Sequence, residues 1–412
     1  MRNMRYFCTV KLIGHIFTLL VVAVIMLNVS EIHASALNRA DTTGLDSVKI
    51  SLLTCSPGGE VYSLYGHTAI RYTDYRRDID VAVNYGIFSF SKPFFVVRFI
   101  FGITDYEMGI VPFDYFCKEY ESEGRSVYQQ ELNLTREEKA AIRDAIDVNY
   151  LPQNRTYRYN YFYDNCTTRA RDMLLGHMSR AVSYPGGKES YPSYRDLIHL
   201  YNEDYPWARF GNDILLGLKA DMPTSLGEHQ FLPFFLKEDF DKAVIANPDG
   251  TRTPLVVRAA CVVSCPAVAA GGGFPLRPLA CAWIIFAVVA AFVVLEAVLK
   301  TKLWAFDAVL MVVCGCMGLV IFMMFFSEHP ATSTNLQILL LNPLPLFFVY
   351  RTAKRAKNRR ADKFWKWAVV AVILFFIGGF FQQYAEGMYV LALSLLARCV
   401  WNIVYEKKYL SV

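Results

Sequence analysis

The chain of 412 residues has no glycine-rich phosphate loop and no cysteine–histidine spacing that would hold zinc. The first absence argues against nucleotide-driven chemistry, the second against a zinc centre, and no cofactor or metal is expected. Charge is sparse. Asp, Glu, Lys and Arg make up 19% of the residues against 54% apolar ones. The mean hydropathy of +0.26 is high for a soluble protein. Much of the small net charge of +5 falls in one short loop, so it is not the footprint of a nucleic-acid partner. Histidine is scarce, at seven, which leaves few side chains for proton transfer near neutral pH.

What is present is unevenly spread. Arg2, Arg5 and Lys11 precede an apolar run from Ile16 to Leu27, and Ala34-Ser35-Ala36 offers a cleavage site. Residues 1–36 therefore read as a signal peptide, and the chain beyond them is expected outside the cytoplasm. Leu52-Leu53-Thr54-Cys55 lies too far past the apolar run to be a lipobox. Of ten cysteines, five stay on the exported side: Cys55, Cys117, Cys166, Cys261 and Cys265. An odd number leaves at least one thiol unpaired in a monomer. Cys166 is the candidate; Cys261 and Cys265 could pair with each other, which the sequence does not show.

Residues 37–250 read as a mixed α+β domain. Strand-like runs cover Val48–Leu53, Gly66–Thr73, Ile79–Phe90, Thr104–Val111 and Ser126–Leu134. Thr135-Arg136-Glu137-Glu138 is a capping box, and its helix is predicted to run to Asn149. Further helices are expected from Cys166 and around 193–202, 207–219 and 231–246. Residues 251–278 are rich in Pro, Gly and Ala, with Gly271-Gly272-Gly273, and read as a linker. From 279 to 412 the chain changes solvent, with apolar spans at 279–299, 303–326, 336–350, 366–384 and 388–404. Five spans are expected, with four as the alternative. The loop from Arg351 to Lys366 carries eight basic residues against Asp362 alone, which places it in the cytoplasm and the α+β domain outside. The polar loop Ser327–Asn335, with His329 and Asn335, then emerges on the domain's side, and Asn342-Pro343 follows it. This stretch reads as a turn or as the wall of a lipid-access site.

Cys166 follows Asp164-Asn165 and opens an amphipathic run. A thiol in the first turn of a helix is favoured as thiolate by the backbone dipole. Tyr65-Gly66-His67-Thr68 places a histidine at the start of a strand. Thiol and imidazole together make a nucleophile and its base. Asn84 is chosen to orient His67, with Asp74 and Asp80 as alternatives. The backbone amides at 165–167, with Asn165, Thr167 and Thr168, are the expected oxyanion donors. Tyr65 and Gly66 support the histidine. Arg169 is a candidate for a phosphate headgroup. His177 is three helical turns from Cys166 and out of reach, whereas His199 stays open as a base. The aromatic runs 94–101 and 157–163 suit either a membrane interface or core packing.

The pieces Gly66-His67-Thr68-Ala69-Ile70-Arg71, Asn84-Tyr85-Gly86 and Asp164-Asn165-Cys166-Thr167-Thr168, ahead of a multi-span tail with His329-Pro330 and Asn342-Pro343, resemble the Lnb-type lipoprotein N-acyltransferases of Bacteroidota. The order of His before Cys is similar to circularly permuted papain-like folds. The resemblance implies a permuted papain-like α+β periplasmic domain, a small antiparallel sheet plus helices, followed by an all-α transmembrane bundle of about five helices. It implies an enzyme of the inner membrane with a Cys166–His67 pair. A membrane phospholipid would acylate Cys166, and the amine of a diacylated lipoprotein would take the acyl chain from the thioester. His329, Asn335 and Asn342 are further candidates for lipid contact. Two other readings share these residues: a papain-like peptidase or amidase of the cell wall, and a non-enzymatic assembly factor with a structural Cys166.

Overall fold

The structure is a computed structural model that describes residues 44–87, 93–94, 97–98, 101–187, 190–266 and 274–410. The signal-peptide reading, the Gly271–Gly273 stretch, half of the aromatic run 94–101 and the last residues of the strand expected to reach Phe90 lie outside them.

Strands β1 (Val48–Cys55), β2 (His67–Asp74), β3 (Ile79–Ile87), β4 (Asp105–Pro112), β5 (Val127–Leu132), β6 (Thr156–Arg158) and β7 (Val256–Val263) form one antiparallel sheet in the order β7-β5-β1-β2-β3-β4-β6. β1 is buried at every position but Lys49, because both faces of the sheet are covered. Its side chains alternate between two cores. Ile50 and Leu52 meet helices α2 (Arg136–Tyr150), α3 (Cys166–Leu175) and α5 (Pro233–Lys242). Leu53 and Cys55 meet α1 (Phe113–Ser122) on the other face. The capping box of α2 is present, with Thr135 accepting from the Glu138 N–H and Glu138 accepting from the Thr135 N–H. Helix α4 (Pro206–Leu215) leaves this sandwich and packs on the membrane helices.

Two expectations need correction. Residues 252–263 are strands, not linker: β7 pairs with β5 from Val256↔Leu132 to Val263↔Val127. An unpaired β5 edge is a template for a β-branched segment, and Val256, Val257, Val262 and Val263 supply one. The domain therefore runs past residue 250. Cys261 and Cys265 do not pair, since all cysteines among the described residues are free thiols. Cys261 lies on the extended strand and Cys265 beyond its end. An extended chain separates positions four apart by roughly 13 Å, too far for a disulfide.

The C-terminal part consists of α6 (Pro278–Leu299), α7 (Trp304–Met324), α8 (Leu344–Lys357), α9 (Phe364–Gly378) and α10 (Met388–Tyr409). Four segments are long and apolar enough to cross a membrane: α6, α7, α10 and Leu336–Lys357, which includes α8. The 15-residue α9 is shorter, about 22 Å against a hydrocarbon core of about 30 Å. The five expected spans thus become four long helices and one short one.

Loops alternate between the two ends of the bundle. At the far end, Tyr405 Oη donates to the Lys300 carbonyl at 3.0 Å and the Asp362 N–H to Glu406 at 3.0 Å. At the near end the bundle grips α4. The Asn335 and Gln337 amides donate to the carbonyls of Ile214 and Asp213 at 2.9 and 2.8 Å, and the Gln382 amide donates to Leu216 at 3.0 Å. These are carbonyls that a helix C-terminus leaves without intrahelical partners. Ile214 adds apolar contact with Ile321, Leu340 and Phe375. The sheet domain and the bundle are thereby fixed to each other.

Candidate active site

His67 opens β2 and stands opposite Cys55, the last residue of β1. The turn before it requires Gly66, whose φ is +80° and whose added Cβ would lie 2.7 Å from the Cys55 carbonyl oxygen. Asn84 on β3 pairs with Ala69, two residues along β2 from His67, so it shares the face of the imidazole. Asn84 Oδ1 is 2.9 Å from His67 Nε2 and accepts from the Gly86 N–H at 2.7 Å. A backbone amide only donates, so this atom is an acceptor and His67 Nε2 carries a proton. Nδ1 is then the nitrogen left for the thiol. A Cβ on Gly86 would come within 2.6 Å of His67 Cε1. Glycine is thus what lets the ring lie there. The ring plane of Tyr120 runs nearly parallel to the imidazole, 11° apart at a centroid distance of 6.4 Å.

Cys166 is the first residue of α3, and Asn165 is its N-cap. Asn165 Oδ1 accepts from the N–H groups of Thr167 and Thr168 at 2.8 and 2.9 Å. Its Nδ2 donates to the carbonyls of Tyr161 and Phe231 at 2.8 and 3.0 Å. The Asn165 N–H donates to Thr168 Oγ1 at 2.9 Å. This corrects the expected oxyanion donors. The amides of Asn165 and Thr167 are consumed by the cap, and the Cys166 N–H is the amide of this turn that the cap does not use. Thr167 Oγ1 lies 3.0 Å from Thr68 Oγ1 and 3.9 Å from Cys166 Sγ, which ties the helix start to β2.

Thiol and imidazole reinforce each other's charge. Burial pushes the Cys166 thiol up, but the charge and hydrogen bond of His67 outweigh it, with help from the Thr68 backbone and Thr167, and bring it down to about 7. Burial pushes His67 down, and the Cys166 thiolate more than reverses that, so the imidazolium persists above its ordinary range. The pair is therefore a nucleophile with a proton donor beside it.

The pair lies in a cleft of about 210 Å³. Tyr65, Tyr106, Tyr159, Tyr161 and Phe231 form aromatic walls, and Glu119, Glu123 and Arg125 line it as well. Tyr65 accepts from the amides of Asn202 and Asn212 at 3.3 and 2.6 Å, and Asn212 belongs to α4. One wall of the cleft is thus held by the helix that docks on the bundle. The run 157–163 divides: Tyr157 and Phe162 are core, while Tyr159 and Tyr161 face the cleft.

The structure brings Cys166, His67, Asn84, Asn165, Thr167, Gly66 and Tyr65 into one cleft, with Thr168 behind the cap. Four expected residues are elsewhere. Arg169 forms two bonds to Asp164, at 2.6 and 2.7 Å, and covers the Tyr157 ring at 3.9 Å, so its guanidinium is committed within the fold. Asn335 is buried and bonded to α4. Asn342 lines a separate cavity of about 700 Å³ inside the bundle. His329 sits in the docking loop, which the Glu328 N–H fixes to the Phe101 carbonyl at 2.9 Å, and is not part of the cleft lining. The alternatives also fall away: Asp74 binds Ser47, Asp80 binds Arg71, and His199 binds Asp213 at 2.8 Å. Sequence reasoning missed Glu119, Glu123 and Arg125, which follow no local pattern that points to a cleft.

Comparison with known families gives two matches. Residues 37–202 match the Lnb N-terminal periplasmic domain, and residues 271–409 match the Lnb transmembrane domain. No curated protein and no solved structure matches the chain. The first matched segment holds His67, Asn84 and Cys166, and the second holds the five helices of the bundle, α6 through α10. With both parts matched in the order in which the structure builds them, the chain belongs to the Lnb family and is a membrane protein with a periplasmic α+β domain ahead of a helical transmembrane region.

Proposed function

We propose that this protein is a lipoprotein N-acyltransferase that works through a thioester on Cys166, with its catalytic domain on the periplasmic side of the inner membrane. Family membership points to lipoprotein acyl transfer. The observation that carries the mechanism is the lowered thiol beside an Asn84-oriented His67, in an aromatic cleft whose wall is fixed to a membrane bundle.

In the first half-reaction the Cys166 thiolate attacks an ester carbonyl of a phospholipid. The Cys166 N–H is the donor placed for the developing oxyanion. The S–C bond forms and the C–O bond breaks. The leaving lysophospholipid alkoxide takes the proton held by His67. In the second half-reaction the neutral α-amine of an S-diacylglyceryl cysteine attacks the thioester. The N–C bond forms, the C–S bond breaks, and the amine proton passes to His67, which restores the thiolate–imidazolium pair. No nucleotide is consumed, because a thioester is already activated toward an amine.

The test is mass spectrometry of N-terminal lipopeptides from a host without other N-acylation, expressing this protein or its Cys166→Ala variant. The parent is expected to add a third acyl chain and the variant none, at equal protein levels. Free fatty acid or cut peptide in place of transfer identifies a hydrolase. Equal transfer by both proteins removes Cys166 from the mechanism.

A further inference from the structure

The acyl-transfer steps leave three charged residues of the cleft, Arg125, Glu119 and Glu123, without a task. Arg125 precedes β5 and is only 5% exposed, yet it lines the cleft that holds Cys166. Its Nε donates to the Ser56 carbonyl at 2.8 Å, and its Nη1 to Glu123 at 2.8 Å. The guanidinium carbon lies 4.6 Å from the Tyr120 ring centre, on the side chain that runs parallel to His67. Its Nη2 is buried with no hydrogen-bond partner among the described residues. A buried cationic donor without an acceptor is unfavourable, so the position calls for an acceptor that arrives with a ligand.

The sheet sets the spacing. Val127 pairs with Cys55, and Cys55 pairs with His67. Val127 therefore stands two strand spacings, roughly 10 Å, from His67, and Arg125, two residues before it, lies about 7 Å further along the strand, a diagonal of about 12 Å. In a glycerophospholipid only the glycerol carbons separate the ester from the phosphate, and the arginine side chain closes the remaining gap. Glu119 and Glu123 line the same cleft, and both are exposed. An anionic headgroup would face two carboxylates with one guanidinium. A zwitterion matches both signs.

Resting on the acyl-transfer reading, we infer that Arg125, Glu119 and Glu123 form the headgroup site of the acyl donor, taking a zwitterionic phospholipid whose phosphodiester meets Arg125 and whose primary ammonium meets the two carboxylates. The donor is then a phosphoethanolamine-type lipid rather than a phosphoglycerol one. Arg125 is a binding residue, and it selects the donor without taking part in bond making.

The experiment uses the full chain in detergent micelles and follows the acyl-thioester on Cys166 by intact mass. Donors are phosphatidylethanolamine, phosphatidylglycerol with the same chains, and the p-nitrophenyl ester of the same fatty acid as a donor without a headgroup. Arg125→Gln is expected to lower the ratio of phosphatidylethanolamine to p-nitrophenyl ester reactivity at least tenfold. The ratio cancels any general loss of fold or of His67 function. The Glu119→Gln, Glu123→Gln double variant is expected to lower the preference for phosphatidylethanolamine over phosphatidylglycerol at least fivefold. An unchanged ratio in Arg125→Gln overturns the site and makes Arg125 a structural residue. Equal rates with both phospholipids in the parent overturn the zwitterion. Inorganic phosphate at millimolar concentration that competes in the parent but not in Arg125→Gln identifies a free-phosphate site and overturns the lipid assignment. Labelling of the parent by the p-nitrophenyl ester with no reaction from any phospholipid overturns the acyl-donor reading itself, and the headgroup site with it.

Discussion

Cys55 and Cys166 show how little of a thiol's chemistry belongs to the residue alone. Cys55 is fully buried opposite His67 on β1, and burial pushes its thiol far above the ordinary range, so it stays protonated. Cys166 is brought to about 7 by the imidazolium it faces. Alkylation of Cys166 by iodoacetamide, read by peptide mass across pH, should therefore rise through about 7. Below that pH the thiol is protonated and the ion pair is lost. In His67→Ala the midpoint should climb toward or beyond the ordinary 9.0, because burial then acts unopposed. A midpoint that ignores the substitution would remove His67 as the partner. Gly86→Ala tests the imidazole's position. Its Cβ would stand 2.6 Å from His67 Cε1 and displace the ring. A displacement on the order of 1 Å costs about 100-fold in rate. Thioester formation should fall by that order with the melting temperature nearly unchanged. A normal rate in the folded variant would show that the ring tolerates the shift.

At the scale of elements, the start of α3 joins folding to chemistry through Asn165. Its oxygen caps the helix while its amide satisfies two carbonyls, one of them Phe231, 66 residues away. Asn165→Asp keeps a good N-cap but removes those donors and adds a negative charge beside the thiolate. The expected outcome is a retained α3 with Cys166 alkylation shifted to higher pH, by the sign of a like-charge neighbour. An unchanged profile would mean the aspartate is neutral or turned away. The capping box at Thr135, the helix that opens at Cys166 and the strand run of β1 follow from consecutive residues, which is why they were legible in the sequence. Strand β7 was not. Its Pro- and Gly-rich surroundings resemble a linker, and its strand character depends on the free edge of β5, which lies more than a hundred residues earlier.

For the whole molecule, a buried charge cluster fixes the end of the bundle away from the sheet domain. Arg398 on α10 bonds Glu296 on α6 and Asp307 on α7, both at 2.6 Å, and Lys302 lies 2.8 Å from Asp307. Three helices meet at one guanidinium. Arg398→Met leaves two buried carboxylates short of a partner, which costs about 3–5 kcal/mol. The detergent-solubilised variant should melt well below the parent, and equal melting temperatures would show that Lys302 alone neutralises the cluster. At the other end, Gly217 allows the docking loop to approach α4. Its N–H donates to the Ala331 carbonyl at 2.8 Å, and an added Cβ would meet the Ser333 oxygen at 2.3 Å.

The sequence by itself determined what neighbouring residues encode: Cys166 in a first helical turn, the strand that carries His67, the order of the α+β domain before the apolar helices, and the charge asymmetry of their loops. Each of these depends on helix or strand periodicity, capping or a transfer free energy summed along the chain. Only the tertiary structure decided which partners meet. Asn84 rather than Asp74 or Asp80 binds His67 because of the β2–β3 register. Arg125 rather than Arg169 lines the cleft because β5 starts beside the end of β1 while Asp164 engages Arg169. Contacts between residues far apart in sequence depend on register and packing, which no local pattern of side chains records.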